Sequence, residues 1–378
     1  MPILFDTPFD ESIIHHIGIN NVVRYYSDNT VSPVTYSTIE FSNNGVPKTK
    51  TIFPGPMGKF FYNFKEMMQL LMVVNNFQDN ISYTTLINNW TPQSYRREFL
   101  NIKVYFENES FEEVILDSSW LACFFQYWDY KYNYYPDRPK NQAWLLKPKS
   151  YSEAVKVKYW VGYPFSFGFY TGSYTGTTVT GNLSGAGPIQ YLGNMQPGTR
   201  LVVSDGSLEY INLLPKYNAL RLSLSNGSVI KMNLERITSD CLDKNKVYLK
   251  WLNSRGDFDY FLFDVPDRTR NTKSLGSITN DFNNFLQTSS PEEQIGFDAT
   301  DSFDIYGTFS PDDILYISDL VISPKIYLFL GEPGETSSDQ DWMEIKLKST
   351  KLPLMNKKSN NVQHKFTIDM PELNTRKL

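Results

Sequence analysis

The chain has 378 residues, of which 41% are hydrophobic, 15% aromatic and 20% charged, with a formal net charge of −5. That much apolar and aromatic material excludes a disordered chain and is enough for two or three separate cores. Basic runs are short, as at Lys357-Lys358, so direct sequence-specific contact with nucleic acid, which needs cations to neutralise phosphates, is not expected.

The start, Met1-Pro2-Ile3-Leu4-Phe5-Asp6, has neither a basic segment nor a long apolar run, and no export signal is expected. Val22 to Tyr26 and Val34 to Phe41 are rich in β-branched and aromatic residues and predict strands, with a turn at Asn43-Asn44-Gly45. His15-His16 is the one histidine pair. In an extended segment neighbouring side chains point to opposite faces, so the pair suits a surface or structural place better than a shared metal ion. Asn63 followed by Glu66 predicts a capped helix, with Phe64, Met67, Met68 and Leu71 on one buried face. The apolar run Met67 to Val74 is too short for a bilayer core of about 30 Å, so membrane insertion is not expected. Thr84 to Asn89 reads as a short helical or turn-rich piece, and Arg96-Arg97 as a solvated basic pair or the partner of nearby acids. Ile102, Val104 and Phe106 alternate with Lys103 and Tyr105. Glu107 to Ser110 then turns the chain and Phe111 to Leu116 returns it.

Phe124 to Pro136 is dense in aromatic residues. Tyr127, Trp128, Tyr130, Tyr132, Tyr134 and Tyr135 admit three readings: sheet packing with a Tyr-rich loop, a subunit-contact surface, or a platform for stacking sugars. Tyr and Trp serve contacts well because they bury large area at low entropic cost. With Tyr174 they form the candidate subunit interface. Val155 to Tyr170 has strong strand character. Thr171 to Arg200 is rich in Gly, Thr and Ser. It resembles a phosphate-binding loop only superficially, because no Lys lies between Lys158 and Lys216 and the lysine such a loop needs is missing. The stretch reads as a mobile loop or an extended arm that orders on a neighbour. Asn226-Gly227 predicts a hairpin pairing Leu220–Leu224 with Val229–Met232.

Val247 to Asp264 holds the strongest signal. Two legs with apolar groups on both faces flank Asn253-Ser254-Arg255-Gly256, a turn whose Gly takes positive φ. A hairpin alone in water is marginal, so this one is expected between other elements. Pro266, with no N–H for a ladder, is expected to end the second leg. Tyr248-Leu249-Lys250-Trp251-Leu252-Asn253, the turn, and Phe258-Asp259-Tyr260-Phe261-Leu262-Phe263 resemble a segment of virion structural proteins of tailed bacteriophages. The nearest are tail and neck components of phages of Bacteroidota, including the crAss-like group. Ile322 to Leu328, Trp342 to Ile345 and Lys365 to Ile368 look like the closing part of such proteins, and the resemblance covers roughly the last third of the chain. It implies assembly and brings no catalytic residues.

Arg268 to Ser274 is polar and basic and reads as a linker. Ile295 to Phe309 predicts strands. Ser310-Pro311-Asp312-Asp313 opens a short helix, with Ser as cap, Pro at the first position and acids at the positive end of the dipole. Pro324 closes it, and Ile326 to Leu330 reads as a buried strand.

The fold class is therefore mainly β: several β-sandwich or barrel-like domains with a few short helices. The expected domains are residues 1–165, mainly β with one helix; 166–267, with the Gly-rich arm and the core hairpin; and 268–378, with the second helix. Two cysteines, Cys123 and Cys241, exclude a disulfide framework. Asp298, Asp301 and Asp304 lack the spacing of a calcium loop, and three histidines leave little for a nucleophile–His site. No catalytic, metal or cofactor-binding residue is expected. The reading is a virion tail or neck subunit, forming a homo-oligomeric ring with other tail and portal proteins and assembled in the host cytoplasm. The alternative is a carbohydrate-binding adhesion module of a phage tail or bacterial surface.

Overall fold

The computed structural model describes residues 3–43, 46–72, 78–79, 82–83, 87–89, 95–124, 140, 144–147, 155–170, 177–183, 190–195, 199–203, 216–224, 229–238, 246–279, 292–333, 341–348, 351–353 and 361–375. The protein is mainly β, as the alternating patterns require. It divides into two compact units: Met1–Ile237 with Asn253–Phe258, and Thr238–Leu252 with Asp259–Leu378.

In the first unit, a three-stranded sheet orders β1 (Ile3–Thr7), β3 (Val22–Ser27) and β6 (Phe60–Asn63). A five-stranded sheet orders β2 (His15–His16), β9 (Phe111–Leu121), β8 (Tyr95–Phe106), β4 (Val34–Asn43) and β5 (Val46–Ile52). Their inner residues, among them Tyr25, Ile39, Leu100, Ile102 and Trp120, share one core with Phe64 and Met68 of the α1 (Lys65–Met72) region. Met67 and Leu71 are buried on the same helix face, as the 3.6-residue period requires. Asn63 Oδ1 accepts from the Lys65 and Asn21 amides, each at 3.1 Å, and the helix starts at Lys65, one residue beyond the expected first position.

A four-stranded sheet orders β10 (Trp144–Leu145), β12 (Phe165–Tyr170), β15 (Thr199–Val203) and β7 (Ile87–Asn89). Residues 87–89 are thus a strand and not a helical piece; pairing with β15 overrides a weak local pattern. A second five-stranded sheet orders β11 (Val155–Trp160), β17 (Val229–Ile237), β16 (Lys216–Leu224), β13 (Thr177–Leu183) and β14 (Gln190–Met195). For Thr177–Leu183, Gln190–Met195 and residues 199–200 this corrects the reading of Thr171 to Arg200 as a mobile loop or arm; residues 171–176, 184–189 and 196–198 lie outside the described residues. A backbone ladder needs no large side chains, and β13 takes the edge of β16 from Val179↔Leu224 to Leu183↔Leu220. The expected pairing of Leu220–Leu224 with Val229–Met232 is present, from Leu220↔Met232 to Ser223↔Val229, while Asn226-Gly227 lies outside the described residues. Gly162, at φ 85°, breaks the Val155 to Tyr170 pattern into two strands.

The second unit is a closed barrel of β18 (Lys246–Leu252), β19 (Phe258–Ser274), β22 (Phe297–Phe309), β25 (Val362–Asp369), β24 (Trp342–Leu347) and β23 (Ile326–Phe329), in that order. The hairpin legs are β18 and β19, and residues of both faces are buried: Leu249, Trp251 and Phe263 completely, and Tyr248 and Phe258 nearly so. Phe263 meets Phe309 and Phe366 edge-to-face at centroid distances of 6.2 and 6.0 Å. Lys250 is buried with Nζ 4.0 Å from the Trp342 ring centroid, a cation held against an aromatic face. Helix α2 (Pro311–Ile322) begins with the expected reciprocal capping box between Ser310 and Asp313, with Pro311 in its first turn.

Pro266 does not end its strand. The β19–β22 register shifts between Asp264 and Asp267, so the proline sits in a bulge, a place where a missing N–H costs no ladder bond. Beyond it, Asp267–Ser274 pairs with Phe297–Asp304; the stretch read as a linker is strand. β20 (Ser277–Thr279) and β21 (Glu292–Gln294) prolong this two-stranded ribbon, and every residue from Asp267 to Thr279 is exposed. Among the described residues, no helix is long and apolar enough to cross a membrane.

Candidate functional site

The tip of the central hairpin belongs to the first unit, where it anchors a buried ionic cluster. Gly256 takes φ 81° at the turn. Asp257 accepts from the Gly168 amide at 2.8 Å and lies 2.8 Å from Lys147 Nζ and 3.4 Å from Arg200 Nε. Arg200 also meets Asp79 at 2.5 Å and Ser166 Oγ at 2.6 Å, and Lys147 donates to the Phe258 carbonyl. Clustered buried charges are a common mark of active sites. Here all four charged side chains are at most 1% exposed and pair with one another, which fixes the tip. Cys123 is buried and its Sγ–H donates to the Arg255 carbonyl at 2.7 Å, fixing the same turn.

His15 and His16 are both buried, in keeping with a structural place. The His15 ring stacks on Phe9 at 4.0 Å and bonds to Asn21 and the Asp10 carbonyl; burial pushes its pKa down. Among the described residues, no three His, Cys, Asp or Glu side chains gather as metal ligands.

The surface best suited to a partner is the outer face of the β4–β8–β9 sheet. Alternation buries Ile102, Val104 and Phe106, and so turns Phe99, Lys103 and Tyr105 outward. On β9 it turns Phe111, Glu113 and Ile115 outward. Tyr36, Tyr105 and Phe111 lie opposite one another across three strands. Tyr36 and Tyr105 stack at 4.6 Å with 16° between planes, and Tyr105 meets Phe111 at 5.6 Å. Phe99 and Ile115 are diagonal neighbours on the same ladder, next to Asp117 and Asn101 respectively. Phe99, Phe111 and Ile115 are 57%, 51% and 59% exposed. One such residue is ordinary on any surface; three on one sheet face, Phe99 beside Ile115 and Phe111 beyond the Lys103–Glu113 row, suit an interaction face.

Charge borders this set. Arg97 grips Asp117 with two bonds of 2.9 Å and lies 5.1 Å over the Phe99 ring. Its guanidinium holds the Asp117 carboxyl below the ordinary carboxylate value. Lys103 bonds both oxygens of Glu40, which raises the lysine pKa, and sits 5.7 Å over Phe111. The Arg96-Arg97 pair thus partners acids, Arg96 taking Glu98 at 2.9 Å.

The residues proposed from sequence as the subunit interface, Tyr127, Trp128, Tyr130, Tyr132, Tyr134, Tyr135 and Tyr174, all lie outside the described residues, as does Cys241. The outer sheet face was missed. Its signal was present: in a strand whose even residues are core, Phe99 and Tyr105 occupy odd positions meant for solvent.

No family model and no curated protein matches the chain. Solved structures similar to it include a two-domain segment of titin (10% identity, 64% of this chain and 100% of that one, TM-score 0.27). Others are a tandem repeat from the extending region of a large adhesion protein (8%, 81% and 70%, 0.25) and the fibronectin(III)-like modules of Clostridium thermocellum CbhA (7%, 62% and 94%, 0.18). At such scores the likeness bears on neither family nor function.

Proposed function

We propose that this chain is a structural subunit of a tailed bacteriophage virion, a tail or neck ring component. It works by fitting against copies of itself and against other tail and portal proteins, without catalysis, and is assembled in the host cytoplasm. The observation that supports this reading is the exposed apolar side chains of one sheet face, Phe99 beside Ile115 and Phe111 beyond the Lys103–Glu113 row. Such a face gains free energy by leaving water against another surface. A closed ring uses it against a different patch on the next copy. The resemblance of Tyr248 to Phe263 to phage tail and neck proteins is the second support. Native mass spectrometry and electron microscopy of the purified chain test the reading. Rings of identical subunits are the expected result, and a monomer at every concentration overturns it.

A carbohydrate-binding adhesion module is the second reading, favoured by the aromatic row Tyr36, Tyr105 and Phe111 beside Lys103 and Glu40. A sugar ring stacks on a free aromatic face. Tyr36 and Tyr105 face each other, and the Lys103 ammonium stands over Phe111. This row therefore serves packing against a surface better than stacking of a pyranose. Glycan-array binding that is lost in Phe111→Ala, with the fold retained, would reverse the order of the two readings.

A further inference from the structure

The segment around β2 closes one edge of β9, while β8 holds the other. Glu11 Oε2 accepts from the Asp117 amide at 2.6 Å, and β2 pairs in parallel with Trp120 and Leu121. The Ile17 and Gly18 amides donate to the Leu121 and Cys123 carbonyls at 3.2 and 2.9 Å. Asp10 to Gly18 is thus a strap along that edge, with His15 buried at its centre. The two ring nitrogens of His15 each face an oxygen: Nδ1 lies 3.1 Å from Asn21 Oδ1, and Nε2 lies 2.8 Å from the Asp10 carbonyl. Both oxygens can only accept. Asn21 cannot turn its amide over to offer a donor without giving up two bonds, since Nδ2 donates to the His16 and Ile19 carbonyls at 2.8 and 3.0 Å. Its backbone is pinned as well: its N–H donates to Asn63 Oδ1 and its carbonyl accepts from the Phe64 amide. A neutral imidazole has one N–H. Whichever nitrogen carries it, the other turns a lone pair toward an oxygen, and only the imidazolium makes both bonds.

The surroundings of the ring suit a cation. Phe9 stacks on it at 4.0 Å and the Trp120 ring lies at 5.0 Å, so aromatic faces stand against it. The Asp10 carboxylate favours the proton and the Lys140 ammonium opposes it. The other elements packed here bring uncharged rings, Trp120 from β9 and, against Phe9, Phe64 at the start of α1. Burial disfavours the charge. It disfavours the neutral ring too, because a buried nitrogen and a buried oxygen then face each other with no proton between them. We infer that His15 is a proton-operated latch: as an imidazolium it ties the strap to Asn21, and on losing one proton it loosens the strap from the edge of β9. The side that yields is the Asp10 carbonyl, in the loop before β2, because Asn21 keeps its four other bonds. The closed strap holds the second proton more firmly than the opened one, so it is closed at low pH and loosens as pH rises through the point where the ring gives that proton up. The latch works in a monomer as in a ring.

Nitrogen NMR of the histidine rings tests this on the full chain, read beside hydrogen exchange of the Ile17, Gly18 and Asp117 amides corrected for its intrinsic pH dependence. The range is about pH 5 to about pH 8.5, on either side of the ordinary histidine value of 6.5. Two ring protons on His15 wherever the strap is protected, and protection that falls about tenfold as the second proton leaves, are the expected result. Both protons kept over the whole range, with constant protection, also support the latch. A singly protonated His15 in a protected strap overturns it, as does protection that falls on acidification. Where the wild type shows the change, His15→Gln, which takes up no proton, should abolish it, and a variant that keeps it overturns the latch. If that variant does not fold, the His15 signals are assigned by their proximity to the Phe9 and Trp120 rings, and the wild-type outcomes decide alone.

Discussion

Replacing Asp257 probes the buried ionic cluster most directly. Its carboxylate is fully buried and faces Lys147 Nζ at 2.8 Å, Arg200 Nε at 3.4 Å and the Gly168 amide at 2.8 Å. Arg200 keeps Asp79 at 2.5 Å, so the loss falls mainly on Lys147. Removing one member of a buried pair costs about 3–5 kcal/mol, because the other charge stays behind without compensation. Asp257→Asn keeps an acceptor for the Gly168 amide and should lose about that much. Asp257→Ala orphans the amide as well and should lose about 1–3 kcal/mol more. Either loss is a large part of an ordinary stability of about 5–15 kcal/mol. The carboxylate also explains Gly168: a Cβ there would stand 3.0 Å from Asp257 Oδ1 and 3.3 Å from Leu146 Cδ1. The assay is urea unfolding followed by circular dichroism, with linear extrapolation to water. Adding Lys147→Met to Asp257→Asn should restore much of the loss, since a buried pair exchanged for apolar groups is often neutral. Losses below about 1 kcal/mol in both single variants would refute the reasoning.

Three further outcomes follow from the same geometry. Phe99→Ser with Ile115→Ser should leave stability within about 0.5 kcal/mol per site, since both side chains are largely exposed, yet weaken self-association; analytical ultracentrifugation that finds association unchanged removes the face from the contact. The Arg270 and then the Arg268 guanidinium hold the Asp301 carboxyl well below its ordinary value of 3.8. A depressed carboxyl contributes stability above the unfolded value and loses it as pH falls toward the folded one. The barrel should therefore weaken below about pH 4, and Asp301→Asn should flatten that acid limb in urea midpoints; a limb unchanged by the substitution contradicts this. Ser310→Ala removes half of the capping box of α2 and should cost about 1 kcal/mol, read from the thermal midpoint, whereas a neutral change would mean that the cap carries no stability.

Local rules made much of this fold legible before any coordinates. The two-sided apolar hairpin, the Ser310 cap, the Asn226-Gly227 register and the α1 stripe are each decided within a few residues, by periodicity or by turn chemistry. What escaped was decided elsewhere in the chain. Thr177–Leu183 is strand because β16 supplies a ladder, whatever its own glycines prefer. Pro266 is tolerated because the bulge removes the bond it cannot make. Asp257 follows the turn with no local sign of its role; only the fold brings Lys147 and Arg200 to it. The outer face of β8 and β9 was half legible: the alternation was read, but the aromatics on its solvent side were not given a meaning.

The division of the hairpin also bears on how the polypeptide is made. Residues 147, 168 and 200 leave the ribosome well before residue 257, whose carboxylate they meet. Until translation has passed the turn, the amino-terminal unit therefore lacks the carboxylate that meets Lys147 and Arg200. The last segment of the first unit, Asn253–Phe258, is made only after Thr238–Leu252 of the second, so synthesis of the two units is interleaved.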